Sequence, residues 1–532
     1  MRRVPCIKWL PSTTVVAIIS FSIVFLNTSL QHPASIVLQH LLLNRFLVLI
    51  SSIPFSTMFV LSPERITAWQ RVLAYYASST LVGRLALKAA GATEMGESSG
   101  SLTVVDNRTN RSYNIDIHHN AIKATDFRQI SAAGIAADPV DQVESGLRII
   151  DKGFLNTACM ESSVTYIDGK RGCIQYRDTS IDDLFRDNDY EEVMHLLIWG
   201  HLPSAVEKRK LRRSLAAAMV PPQSVVDVIH AFDRDAITMS MLLAGLSAFA
   251  AVDEGTKEVH TSGRPAYLGK TEAVDAAIIR TLAALATTIA LVYCHKRGKA
   301  FTPADPNGSY IGNVLLMMGF HEPGQKKPNQ KIEECFEKLW VLYADHEMTN
   351  STASFLHAAS TLTDPISCSI TGIVSAYGPL HGGAIDLAYK GFEEVGAPEN
   401  VHLLISDVKA KKQRLFGYGH RIYKTVDPRA KFIRAMMDEH SELMEQNPLL
   451  RIALEVDRVA NSDAYFTSRN LKANADLYGC FLYTAMGFET DIIIPMASLS
   501  RTAGVMAHWR EAMHQTPMLW RPLQVFTGSA AQ

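Results

Sequence analysis

The 532 residues predict a mainly α-helical fold with a small β element towards the N-terminal side. Three observations carry that expectation. Apolar residues recur at helical spacing over Tyr190–Trp199, Ala236–Ala250, Thr271–Cys294 and Ile332–Tyr343. The Ala- and Leu-rich run Ile278–Leu291 is apolar on most faces, which places it inside a large helical core. Strand-like patterns are confined to Leu102–Val105, Tyr113–Ile117 and a hairpin, Ser163–Ile167 with Gly172–Tyr176, turned by Asp168-Gly169.

Composition bounds the function classes. Apolar residues make up 47% of the chain and charged residues 20%, the balance of a globular protein with room for more than one domain. A formal net charge of −1 gives no overall case for nucleic-acid binding. The glycine motifs of nucleotide binding, GxGxxG and GxxxxGK[ST], are missing. Cysteines 6, 159, 173, 294, 335, 368 and 480 contain no CxxC pair, so reduced structural thiols are expected, with no metal site and no disulfide framework.

The first 90 residues differ from the rest. No Asp or Glu precedes Glu64, and Arg2, Arg3 and Lys8 precede the apolar run Val15–Leu26. A second uncharged run, Phe46–Leu61, is interrupted by Pro54. Each is shorter than the roughly 20 residues of a spanning helix. The extension reads as a targeting segment, mitochondrial for instance, as a membrane association through residues 1–61, or as an inaccurate start of the chain. Ala530-Ala531-Gln532 is not a Ser-Lys-Leu-type peroxisomal address. Gly91–Ser101, rich in Gly, Ser and Glu, reads as a linker.

Three segments carry chemistry. Gly417-Tyr418-Gly419-His420 puts a histidine on a glycine-flexible loop, and Arg429 follows an Asp-Pro break nine residues on. An imidazole and a guanidinium so placed can act on one small anion, the first polarising a carbonyl and the second clamping a carboxylate. His346 lies at a helix end between Asp345 and Glu347, ahead of the capping sequence Thr349–Thr352. His381 sits between Gly378-Pro379 and Gly382-Gly383, where a helix can begin. A cation is disfavoured at a helix start, so a neutral imidazole there can serve as a hydrogen-bond donor. His201, His230, His260, His295 and His508 receive a structural reading.

In this order the segments resemble the citrate synthase family, from about Glu161 to Gly528. The resemblance implies condensation of an acyl-CoA with oxaloacetate and hydrolysis of the thioester, with no metal or redox cofactor. Carried to this chain, it makes His381 the donor to the thioester oxygen and Asp476, in Asn474-Ala475-Asp476-Leu477, the base that takes the α-proton. His420 would polarise the ketone. His346, Arg429 and Arg501 would hold oxaloacetate carboxylates, and Arg521 resembles an arginine supplied across a homodimer. CoA would lie against Leu415, Gly417, Tyr418 and Gly419, with Lys424 as a phosphate contact. Asp463 is a rival acid to Asp476.

The departures bear on the acyl group. Many members have Ala-Asn-Glu after His-Gly-Gly, where this chain has Ala384-Ile385-Asp386, and Asn-Val-Asp-Phe around the base, where it has Ala475 and Leu477. Less bulk and less polarity predict a longer acyl chain, hence an alkylcitrate synthase of specialised metabolism. The alternatives are acetyl-CoA giving citrate, propionyl-CoA giving 2-methylcitrate, and an inactive membrane-tethered paralogue. The expected architecture is a two-domain helical fold of the family. Residues 1–90 form the extension and 91–144 the linker and short strands. Residues 145–383 with 482–532 form the large domain and 384–481 the small one.

Overall fold

A computed structural model describes residues 99–131, 146–322 and 324–528. The predicted extension 1–90, most of the following linker and the last four residues lie outside the described residues. The described residues fall into two compact units, one of residues 99–131, 146–150 and 525–528, the other of residues 151–322 and 324–524. In the first, strands Gly100–Asp106, Arg111–His118 and Ala121–Ile122 form an antiparallel sheet in that order, with Leu102 opposite Ile115. Both predicted strands are present and run further. Asp106 sets the first turn, accepting the Arg108 N–H at 3.0 Å and pairing with its guanidinium.

The second unit is helical apart from one three-stranded sheet, Thr165–Asp168, Cys173–Tyr176 and Thr179–Ser180. The hairpin forms as expected, with the strands shifted by about one residue and four residues between them. Asp168 pairs with Cys173, and its carboxylate accepts the Lys170 and Arg171 N–H groups at 2.9 Å, stabilising a wider loop. That loop is a docking point for the 417–429 segment. A Cβ on Gly169 would meet the Ile422 carbonyl oxygen at 2.3 Å, and the Lys424 N–H donates to the Gly169 carbonyl at 2.8 Å.

Of the predicted helices, Tyr190–Trp199 forms as read, while the second begins at Thr238, after a turn at Asp233–Ala236. The 27-residue helix Thr271–Arg297 is long and apolar enough to cross a membrane, yet its apolar window is buried inside the protein. It packs against helices Ala205–Ala218, Thr238–Val252, Pro365–Ala376 and Ile493–Met513, which give its apolar faces their partners. A second group, Ala384–Val395, Val401–Lys409, Ala430–Glu439, Pro448–Ser462 and Ala475–Ala485, packs mainly on itself. One hydrophobic core nonetheless runs through both groups. None of the described cysteines is in a disulfide.

Candidate active site

A cavity of about 2220 Å³ opens between these helix groups. His346, His381, His420, Arg429, Arg501 and Arg521 line it, as do Leu415, Gly417, Tyr418 and Gly419. Lys424 does not line it, and its side chain is exposed. Asp476 is the second residue of helix Ala475–Ala485, and its side chain lies outside the described residues. Asp463, the rival acid, caps Tyr465 and pairs with Lys409 away from the cavity.

His381 is fixed by another helix. The turn ahead of Ala384–Val395 consumes its own amides, Gly383 N–H reaching the Ala376 carbonyl and Ala384 N–H that of His381. The amide that reaches the imidazole is instead Ser351 N–H, in the first turn of helix Asn350–Ala359, whose N-cap is Thr349. It donates to His381 Nε2 at 3.3 Å, with Ser351 Oγ at 2.9 Å from the same atom. Nε2 is therefore an acceptor, and the ring proton resides on Nδ1.

His420 adopts the opposite tautomer. Its Nδ1 accepts the Ile422 N–H at 3.0 Å and the Tyr423 N–H at 3.4 Å, so Nε2 carries the proton. The loop can take this shape because Gly417 and Gly419 both sit at φ 78°, and a Cβ on Gly417 would meet Leu477 Cα at 2.9 Å. The loop is also zipped to the segment ahead of Asp476. Asn474 N–H donates to the Gly417 carbonyl at 3.0 Å, Gly419 N–H to the Lys472 carbonyl at 2.8 Å, and Asn474 Nδ2 to the Gly419 carbonyl at 2.9 Å. Leu477 thus packs under the glycine loop, and neither it nor Ala475 lines the cavity. Of the three positions expected to set acyl choice, only Ile385 reaches the cavity wall.

The charges form a buried set. Arg429 Nε and Nη2 donate to the two Asp427 carboxylate oxygens at 3.0 and 2.7 Å, with both side chains buried. Burial pushes the Asp427 carboxyl up, but Arg429 outweighs it and brings the carboxyl below its ordinary value. Asp427 also accepts the Ala475 N–H at 3.2 Å, tying Arg429 to the start of the Asp476 helix. Arg501 Nε donates to the Tyr343 carbonyl at 2.6 Å, and the Arg429 guanidinium lies over the Tyr343 ring, 5.5 Å from its centroid. His346 Nε2 and the Tyr423 hydroxyl are 2.8 Å apart. Burial, then Arg429, Arg501 and His420, hold the His346 pKa well below its ordinary value.

Asp427, Tyr423 and Ser351 were not among the residues singled out from the sequence. The Asp-x-Arg spacing at 427–429 is the signal that could have flagged the first. Ser351 carries no signal, because it acts through its main-chain N–H.

All three imidazoles are neutral at neutral pH. Burial, then Arg501, lowers His381 to about 4. Burial, then Arg429, lowers His420 to about 4. Activity should therefore not fall through any histidine step between pH 7 and 5, and should be lost as pH falls through about 4. From pH 6.5, the ordinary histidine value, down to about 4, the unfolded chain binds more protons at these sites than the folded one. Their contribution to stability therefore declines across that window as pH falls. A pH–rate profile with an acid limb near 6 that tracks His381 or His420 would contradict this.

Fold and site together define a helical enzyme with neutral N–H donors and the guanidinium groups of Arg429, Arg501 and Arg521 on one cavity, suited to an anionic substrate and its developing charge. A family model described as "Citrate synthase, C-terminal domain" matches residues 153–523. The citrate synthase-like protein oryE of Aspergillus oryzae is 49% identical, covering 80% of this chain and 96% of its own length. The alkylcitrate synthase phiJ of a fungal species is 37% identical, covering 81% and 94%. Citrate synthase from Thermoplasma acidophilum, solved as a ternary complex with carboxymethyl coenzyme A and oxaloacetate, superposes with a TM-score of 0.65 at 27% identity. That match covers 72% of this chain and 97% of the solved one. The chain belongs to the citrate synthase family, and its activity is that of a citrate-synthase-like acyltransferase performing a Claisen condensation.

Proposed function

We propose that the chain is an alkylcitrate synthase, condensing oxaloacetate with an acyl-CoA longer than acetyl-CoA and then hydrolysing the thioester. One observation carries the reading. The cavity that holds the three neutral histidines and the arginines is also walled by residues of the helical core, Leu285, Phe355, Ile373, Ile385 and Ile494, each of them buried. Ser369 and Thr502 line it too, but their hydroxyls donate into their own helices, to the Pro365 carbonyl at 2.8 Å and the Ser498 carbonyl at 2.9 Å. The same cavity therefore presents buried hydrocarbon, more than an acetyl group can use. A hexanoyl chain adds four methylenes, which together gain about 3 kcal/mol on burial.

In this reading His381 donates through Nδ1 to the thioester oxygen while Asp476 removes the α-proton, so charge develops on oxygen beside a preorganised donor. His420 donates through Nε2 to the ketone oxygen of oxaloacetate, raising its electrophilicity as the enolate attacks. His346, Arg429 and Arg501 receive the carboxylates, and Arg521, which lines this cavity within its own chain, completes the site. The segment 415–419 receives CoA. Closure of the 384–481 helices over the rest would exclude water before proton abstraction. The related phiJ carries the name alkylcitrate synthase, which agrees with this reading.

Release of CoA thiol from acetyl-, propionyl- and hexanoyl-CoA in the presence of oxaloacetate tests it. The expected order of kcat/KM places hexanoyl-CoA first, and a preference for acetyl-CoA would overturn the proposal in favour of citrate formation. Leu285→Phe, which adds bulk to this apolar wall, should lower kcat/KM for hexanoyl-CoA at least 10-fold relative to acetyl-CoA, about 1.4 kcal/mol.

A further inference from the structure

A cluster of side chains outside the cavity has the arrangement of a metal site. Helix Tyr190–Trp199 ends at Gly200, whose φ of 85° lets the chain reverse. The reversal lays His201 against His195, ring centroids 4.7 Å apart, before helix Ala205–Ala218 begins and supplies Glu207 from its first turn. One donor atom from each of His195, His201 and Glu207 lies within 4.8 Å of the other two. None of the three residues lines the active-site cavity.

Each of these side chains is also held by a backbone group on its far side. His195 Nδ1 is 2.8 Å from the His201 carbonyl oxygen, so it donates there and Nε2 keeps its lone pair. His201 Nδ1 is 3.3 Å from the Trp199 carbonyl oxygen, with Nε2 turned to Glu207 Oε1 at 3.2 Å. Glu207 Oε2 accepts the Ser204 N–H at 2.8 Å, which fixes the carboxylate and leaves Oε1 towards the histidines. Metal-binding imidazoles and carboxylates are oriented in this way, the outer hydrogen bond setting the tautomer and raising donor strength. A His–Glu ion pair would explain one of these contacts, but it gives no reason for a ring nitrogen of the buried His195 to lie within 4.8 Å of both other donor atoms.

We propose that His195, His201 and Glu207 bind one zinc ion, which clamps the turn between the two helices. Two imidazoles and a carboxylate suit zinc, with water in the fourth position. Donor distances of about 2.0–2.2 Å require modest rotation of His201 and Glu207, the two exposed members. The cysteines take no part, and the ion has no role in the condensation.

The test uses untagged, chelator-treated full-length protein titrated with Zn²⁺ by calorimetry, and with Co²⁺ for its tetrahedral visible absorption. Glu207→Gln preserves the helix cap, since Gln serves in a capping box as Glu does, and His201→Ala changes an exposed side chain. Expected are one Zn²⁺ per chain, a rise in Tm with zinc, and affinity lowered at least about 10-fold in both variants, with CoA release unchanged. No binding, or equal binding by wild type and both variants, would overturn the assignment.

Discussion

Replacing His381 with alanine is expected to lower kcat by about 10²–10³-fold, equivalent to about 2.7–4 kcal/mol of transition-state stabilisation. The effect should fall on kcat and leave oxaloacetate affinity nearly unchanged, because the interaction exists only as negative charge develops on the thioester oxygen. The fold should survive. His381 is held by the Ser351 N–H, one of the amides that a helix start leaves without an intrahelical partner, and water can replace the imidazole there. Ser351→Ala is the control, since it removes the Oγ contact at 2.9 Å and retains the N–H that sets the tautomer. It should cost less than about 10-fold, a loss under 1.4 kcal/mol. CoA thiol release under saturating oxaloacetate reads both variants. A His381→Ala enzyme with wild-type kcat would remove this histidine from the chemistry.

Much of the helical body was legible because its signals are local. Tyr190–Trp199 carries a capping box at Asp189 and a left-handed glycine at Gly200, and it forms as read. Thr271–Arg297 was placed in the core because its apolar residues cover most of its surface. His346, His381, His420 and Arg429 drew attention through their local motifs, while Arg501 and Arg521 entered only with the family resemblance. What escaped depended on contacts distant in sequence. Leu477 looked like a pocket residue from its nearness to Asp476, but Gly417 turns the loop onto it and buries it beneath the backbone. The partner that fixes the His381 tautomer was not legible either, because the amide that reaches Nε2 belongs to Ser351, thirty residues earlier. Leu285 lies in a helix with no motif, and its place on the cavity wall follows only from how that helix packs.

Arg429→Met is expected to lower the free energy of unfolding by about 3–5 kcal/mol, the cost of leaving one partner of a buried ion pair behind. Asp427 and Arg429 are 2% and 5% exposed, so the carboxylate left behind is poorly solvated once the guanidinium is gone. The main-chain donors that remain, Arg429 N–H at 3.0 Å and Ala475 N–H at 3.2 Å, satisfy part of its hydrogen bonding and none of its charge. Asp427 should then titrate higher, and the stability lost in the variant should be smallest under acid conditions, where the carboxyl is neutral. The double variant Asp427→Asn/Arg429→Met should recover part of the loss, with a coupling energy of about 0.5–3 kcal/mol. Denaturant unfolding of the four proteins at pH 7 and at acid pH measures these terms. The same ion pair anchors Ala475, the first residue of the helix that carries Asp476. The double variant should therefore regain stability without regaining kcat, since an Asn at 427 restores neutrality but supplies no guanidinium for a substrate carboxylate. Full recovery of both would mean that Arg429 serves the fold alone.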